Sequence, residues 1–265
     1  MPFSAQWRMI RPKVVEWASL ILLILLIILP LSLFGWLVFA TETFTIQAIT
    51  IVDARDHTEQ LIKNETETLK ARNILLIQPD VIEQSIKDSI FQIRDVHVVR
   101  KLPAALKIVV QEKEPALLLL SGGKYHFVDS AGIAYEEARL DTLPGIVLPT
   151  IKNTGVHTEV VLGTPAVSKD FVQFIRQAEE ELSGVVGGDM VEIRIPSLAA
   201  REVHMLLDTN WIIKFDTSRP FDVQLEVLRR LLEHTIPEEN QEGIEYIDLR
   251  IPNRVYYKLR DSLGQ

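Results

Sequence analysis

The sequence predicts an α+β protein with a single N-terminal transmembrane helix, a β-α-α-β-β module after it, and then a mixed β-sheet domain with two helices. Three observations carry this prediction. Residues 17–41, WASLILLILLIILPLSLFGWLVFAT, contain no charge and are bounded by Glu16 and Glu42. Residues 42–115 alternate β-branched runs with two amphipathic helical patterns. Residues 116–265 shift toward short strands interrupted by two longer helical patterns.

The uncharged stretch comes first. A helix of this length reaches roughly 37 Å at about 1.5 Å per residue, enough to cross a hydrocarbon core of about 30 Å. Leu and Ile dominate it, and Trp17 and Trp36 lie near its ends, where indoles favour the membrane interface. A buried core helix would show a polar face, and a cleaved signal peptide would carry an apolar region of only about 7–15 residues. Arg8, Arg11 and Lys13 oppose only Glu16 in the preceding tail. The positive-inside rule therefore expects residues 1–16 in the cytoplasm and everything after residue 41 outside it.

Beyond the helix, Phe44–Val52 reads as a strand, and a helix capped by Thr58 runs to about Leu69. Pro79 and Asp80 open a second helix, with Val81, Ile82, Ile86 and Ile90 at helical spacing. Strands at 95–101 and 104–111 flank the turn Leu102-Pro103. Residues 116–120 and 125–129 form a hairpin around Ser121-Gly122-Gly123, and Ile133-Ala134-Tyr135 continues as a strand. Leu143 to Thr150 is a connector, and Val160–Gly163 leads into a helix from Ser168 to Leu182, with Ser168 as its cap. Val191, Ile193 and Ile195 alternate on a strand, and strands at 202–207 and 211–215 form a second hairpin. Phe221–His234 is a helix expected to turn Val223, Val227, Leu228, Leu231 and Leu232 inward. Strands at 243–250 and 255–260 close the chain, separated by Ile251-Pro252-Asn253-Arg254.

Composition narrows the chemistry. Removing the net +2 of residues 1–16 from the chain's −8 leaves −10 on the remainder, which argues against a nucleic-acid partner and against tight binding of this part to anionic headgroups. The chain has no cysteine, so disulfides and thiolate chemistry are excluded. Its six histidines show no i, i+4 zinc pairing, and no cofactor or metal is expected. The carboxylate runs Glu179-Glu180-Glu181 and Glu238-Glu239 read as solvated faces. Nucleophile-elbow and phosphate-loop motifs are absent, so neither an enzyme nor a small-molecule substrate is expected.

Several runs carry a family resemblance. Val96-His97-Val98-Val99-Arg100-Lys101-Leu102-Pro103-Ala104-Ala105-Leu106-Lys107-Ile108 resembles the "V-x-V-x-R-x-L-P-x-x-L-x-I" hairpin of the bacterial cell-division FtsQ (DivIB) family. Gln111 to Ala116 stands where that family has "x-E-R/K-x-P-x-A", and Tyr246-Ile247-Asp248-Leu249-Arg250 is similar to its "Y-V/I-D-L-R" signature. The resemblance implies a cytoplasmic tail at 1–16, a transmembrane helix at 17–41, a polypeptide-transport-associated (POTRA) domain at 42–115 and an FtsQ-type β domain at 116–265. It also implies a non-enzymatic inner-membrane scaffold at the division septum that links early and late divisome assembly and controls septal cell-wall synthesis. The implied partners are FtsB- and FtsL-like membrane proteins, with the septal peptidoglycan synthase pair beyond them. The alternative is a POTRA-containing protein of an outer-membrane assembly or secretion pathway.

The residues themselves point to binding at a strand edge, because a sheet's last strand presents unpaired amides and carbonyls. Val255, Tyr257 and Leu259 are expected to face inward, leaving Tyr256 as an outward aromatic anchor. The resemblance places the partner's added strand here. It gives Arg250 and Arg201 as carboxylate-binding forks, and Ile251, Asn253, Arg254, Tyr256 and Leu259 as the neighbouring pocket and edge. Pro252-Asn253-Arg254 departs from a glycine-containing family pattern, and an arginine in a left-handed turn would be costly there.

Overall fold

The computed structural model describes residues 6–40, 42–139, 147–155 and 159–260, and their side chains except those of residues 6–16 and 40. The chain divides into two compact units, Met1–Gln111 and Glu112–Gln265.

The first unit opens with helix α1 (Gln6–Ala40), whose segment Trp17–Phe39 is long and apolar enough to cross a membrane. Its side chains are exposed almost throughout, from Trp17 to Phe39. A soluble core helix would bury such residues. A short 3₁₀ turn (Glu42–Phe44) replaces the start of the expected strand, and β1 is confined to Ala48–Val52. Helix α2 (Asp56–Thr66) begins two residues before Thr58. Thr58 does not cap it but is buried within its first turn. Helix α3 (Pro79–Ser89) starts on Pro79, whose missing N–H costs nothing in a first turn. Strands β2 (Ile93–Lys101) and β3 (Ala105–Glu112) complete a three-stranded sheet ordered β1-β3-β2, with β1 parallel to β3. Ile62 and Ile86 from the helices meet Val96, Val98, Leu106 and Ile108 from the sheet in this unit's core.

The second unit is built on a nine-stranded sheet ordered β12-β11-β10-β9-β8-β7-β4-β5-β6. Strands β4 (Leu117–Ser121), β5 (Lys124–Val128) and β6 (Ala134–Ala138) form one antiparallel end. The turn into β6 needs a glycine. Gly132 has φ +84, and a Cβ there would lie 2.2 Å from the Val167 carbonyl oxygen. Strand β7 (Thr150–Asn153) starts on the last residue of the expected connector and runs on through residues to which the sequence assigned no element, and it pairs in parallel with both β4 and β8. The Leu143-Pro144 part of that connector lies outside the described residues.

Helix α4 (Lys169–Glu181) is capped as expected, the Ser168 hydroxyl accepting from the Phe171 N–H at 3.1 Å. A short turn, α5 (Ser183–Val186), leads to β8 (Met190–Ile195), whose register shifts between Met190 and Glu192. That irregularity accounts for Val191, which is exposed while Ile193 and Ile195 are buried. Strands β9 (Glu202–Leu207) and β10 (Ile212–Asp216) form the second hairpin.

Helix α6 (Phe221–His234) buries Phe221, Gln224, Leu225, Leu228, Leu231 and Leu232 and leaves Val223 and Val227 exposed, against the expectation for those two valines. The short α7 (Glu238–Gln241) precedes β11 (Ile244–Asp248) and β12 (Tyr256–Leu259). Helices α4 and α6 cover one face of the sheet. Phe174, Phe215 and Phe221 meet there edge to face or tilted, with ring centroids 5.1–5.8 Å apart. Leu118, Phe127, Tyr135 and Ala138 form a small apolar cluster of their own. With Leu117 and Leu119 in the main core and Leu118 in this cluster, β4 is apolar on both faces, which explains its unbroken run of leucines.

Candidate functional site

The two ends of the large sheet differ in how much of their backbone is available. At the β6 end, the Ala134 N–H donates to Thr164 and its carbonyl accepts from Gly163, so the following segment closes the start of that edge. β6 also carries Glu136 and Glu137. The other outer strand, β12, pairs antiparallel with β11 through Asp248–Tyr256, Ile247–Tyr257 and Tyr246–Lys258. The Arg260 N–H donates to the Gly243 carbonyl. Amides alternate along a strand, so the N–H groups of Lys258 and Tyr256 face β11 as well. Those of Tyr257 and Leu259 face outward, away from the sheet.

The side chains follow the expected alternation with one correction. Val255 and Leu259 pack against the main core, but Tyr257 is 41% exposed on this outermost strand. Tyr256 is 46% exposed on the opposite face. Two tyrosines thus stand on the outer strand where one was expected. In the turn before β12, Asn253 takes the left-handed conformation at φ +60 and Arg254 does not. Asparagine tolerates that region, so the expected arginine strain is absent. The Arg254 N–H closes the turn onto the Ile251 carbonyl at 3.2 Å.

Arg250 makes its contacts within the chain. Its Nε and Nη2 donate to the two carboxylate oxygens of Asp248 at 2.9 and 2.6 Å, and its Nη1 pairs with Glu202. Hydrogen bonding to Asp248 and then to Glu202 raises the guanidinium pKa above its ordinary value despite partial burial. Burial pushes the Asp248 carboxyl up, but the bonds and charge of Arg250 outweigh it and hold the group below the usual carboxylate value. The fork that a partner carboxylate would need is therefore engaged within the protein. The sequence signal was present, since Asp248 and Arg250 lie two residues apart, but Glu202 could not be foreseen from a position 48 residues away.

Arg201 stands at the start of β9 with its side chain exposed, while its carbonyl accepts from the Thr217 N–H at 2.6 Å. Arg201, Arg250 and Ile251 come together around an open depression of about 540 Å³, shared with Ala200, Glu202, Asp216 and Ser218. The structure thus gathers the nine expected residues into two groups, this depression and the turn with its outer strand. No cluster of three or more potential metal-ligating side chains occurs among the described residues.

Comparison with known proteins bears on the first unit. The family model of the FtsQ-type POTRA domain matches residues 44–113. The chain carries an FtsQ-type POTRA domain. A curated relative, the cell division protein FtsQ of Streptomyces venezuelae, is 34% identical over 71 residues. That match covers 27% of this chain and 26% of the relative, so the chain spans only about a quarter of the relative's length. The apolar helix before residues 44–113 and the mixed sheet after them lie outside the span that the family model matches.

The structure gives the FtsQ-type hairpin motif a physical reading. Val96, Val98, Leu106 and Ile108 are its buried positions, and the Arg100 guanidinium donates to the Ile77 carbonyl, holding the loop before α3 against β2. Glu83 of α3 accepts the Val98 N–H at 2.7 Å. That bond occupies one amide of β2, one of the two outer strands of the small sheet.

Proposed function

We propose that this chain is a non-enzymatic, membrane-anchored scaffold of the bacterial division machinery that captures a partner strand on β12. The accessible outer edge of β12, with Tyr256 and Tyr257 beside outward amides, carries the reading. The FtsQ-type POTRA domain and the cell-division relative support its setting. We assign residues 1–16 to a cytoplasmic tail, 17–41 to the membrane, 42–115 to the POTRA domain and 116–265 to the binding β domain. The basic residues Arg8, Arg11 and Lys13 favour a cytoplasmic N-terminus and an extracytoplasmic β domain. The partners implied by the family resemblance are FtsB- and FtsL-like proteins, whose capture would govern the onset of septal wall synthesis. Arg201 is the residue offered to a partner carboxylate, and Arg250 serves to hold the β11 end in shape.

Co-purification from membranes with FtsB- and FtsL-like proteins tests this assignment. Tyr256→Ala and Arg201→Glu should each lower capture at least tenfold, which is about 1.4 kcal/mol, with the melting temperature unchanged. Full capture by both variants would remove β12 and its depression from the interface. Turnover of peptidoglycan by the purified chain would overturn the scaffold reading itself.

A further inference from the structure

The POTRA domain presents an apolar turn where the membrane helix ends. The last carbonyls of any helix lack intrahelical partners. Here the Asn73 side-chain amide donates to the carbonyl of Val38, in the final turns of α1, at 2.6 Å. The other end of the same side chain accepts the Leu75 N–H at 2.9 Å. One side chain therefore ties the end of the apolar span to the turn that follows Asn73.

The direction of the chain adds to this. Residues 44–46 lead away from α1, and residues 72–74 run antiparallel beside them: Thr45 bridges Asn73, Ile46 N–H donates to Arg72, and Ile74 N–H donates to Phe44. The segment thus returns toward the helix end and turns at Leu75-Leu76, where the Leu76 N–H donates to the Asn73 carbonyl. Leu76 is 64% exposed, Leu75 is also exposed, and Val81 at the start of α3 is 60% exposed. Leu76 and Val81 line one depression of about 420 Å³, and Arg72 lines it as well.

We propose that the Leu75-Leu76 turn and Val81 form a second membrane contact, seated in the headgroup–acyl boundary of the leaflet from which α1 emerges. The inference rests on the reading that Trp17–Phe39 spans a membrane. A lipid surface suits this patch because the patch is continuous with the span through Asn73. Interfacial segments carry this combination of exposed leucine and a flanking cation, the cation meeting lipid phosphate. The contact would hold the POTRA domain to the bilayer at two points, the end of α1 and the turn.

The absence of cysteine makes the test direct. Nitroxide labels go on Leu76→Cys, Val81→Cys, mid-span Leu26→Cys and Glu180→Cys on α4, in the full chain in phosphatidylethanolamine–phosphatidylglycerol vesicles. Collision rates with oxygen and with a water-soluble nickel chelate report the depth of each label. The oxygen-to-nickel ratio at positions 76 and 81 should lie several-fold above that at 180 and below that at 26. Introducing Leu75→Ser with Leu76→Ser should then lower the ratio at 81 toward the aqueous value. Aqueous ratios at both 76 and 81, with position 26 deep, would overturn the contact and leave the span intact. An aqueous position 26 would overturn the span, and the inference with it.

Discussion

Arg250, expected to meet a partner, is tied to two carboxylates of its own chain. Asp248 is buried, and its carboxylate is balanced by two guanidinium bonds from Arg250. Removing one partner of such a pair leaves the other charge to be desolvated alone. Arg250→Ala should therefore lower stability by about 1–2 kcal/mol, a modest figure because the guanidinium is partly exposed to water. Arg250→Lys should fall between, since lysine keeps the charge but not the planar fork. The acid limb gives a second signature. Asp248 titrates lower when folded than when unfolded, so it contributes stability above the unfolded value near pH 3.9, lost as pH falls through the folded value. Without Arg250, burial of Asp248 dominates, and acid unfolding should begin at higher pH. Equilibrium denaturation of the three proteins between pH 3 and 7 measures both effects, and an unchanged acid limb in Arg250→Ala would dissociate Asp248 from this pair.

At the level of elements, the outer strand makes a claim about backbone rather than side chains. If a partner strand adds to β12, the outward N–H of Tyr257 donates to it. Tyr257→Pro removes that donor while sparing the inward bonds of Lys258 and Tyr256 to β11. Tyr257→Ala removes only the ring. Capture should fall further in the proline variant than in the alanine variant, measured by affinity for the same membrane partners. Equal losses would assign the contact to the tyrosine side chain alone. The sequence disclosed the elements unevenly, and for physical reasons. Helices α3 and α4 were legible from periodicity and from Pro79 and Ser168 at their starts. Strand β7, TIKN, was missed because four residues with one buried aliphatic carry little pattern, and their parallel partners lie far along the chain. In α6 hydrophobicity misled, since Gln224 is buried by bonding the backbone of Asp216 and Arg219 while Val223 faces water.

For the molecule as a whole, the order of an apolar helix, a β-α-α-β-β module and a mixed sheet followed from the sequence because each segment spaces its apolar residues differently, unbroken in the first and at helical or alternating steps in the others. What single residues do near the outer strand depended on contacts across the fold, as Glu202 with Arg250 shows. The distribution of titrating groups allows a prediction at this scale. Burial lowers the pKa of His126 and of His204, and His126 Nδ1 and His204 Nε2 are buried without a hydrogen-bond partner among the described residues. Glu137 and Lys124 act on His126 with opposing signs. Around His204, Glu202 and Asp248 oppose Lys214 and Arg250, and neither set cancels the effect of burial. As pH falls below the unfolded histidine value near 6.5, the unfolded chain takes up these protons first. Their contribution is therefore complete above about pH 6.5 and declines toward the lower folded values. Asp95, Glu137, Glu192, Glu226 and Asp248 all titrate low when folded, so their contribution is lost only further down, below about pH 4. Denaturant midpoints should consequently fall between pH 7 and 5 with an unchanged slope, and His126→Gln with His204→Gln should flatten that interval while leaving the steeper loss below pH 4. An equal decline in the double variant would assign the protons of this interval to other groups.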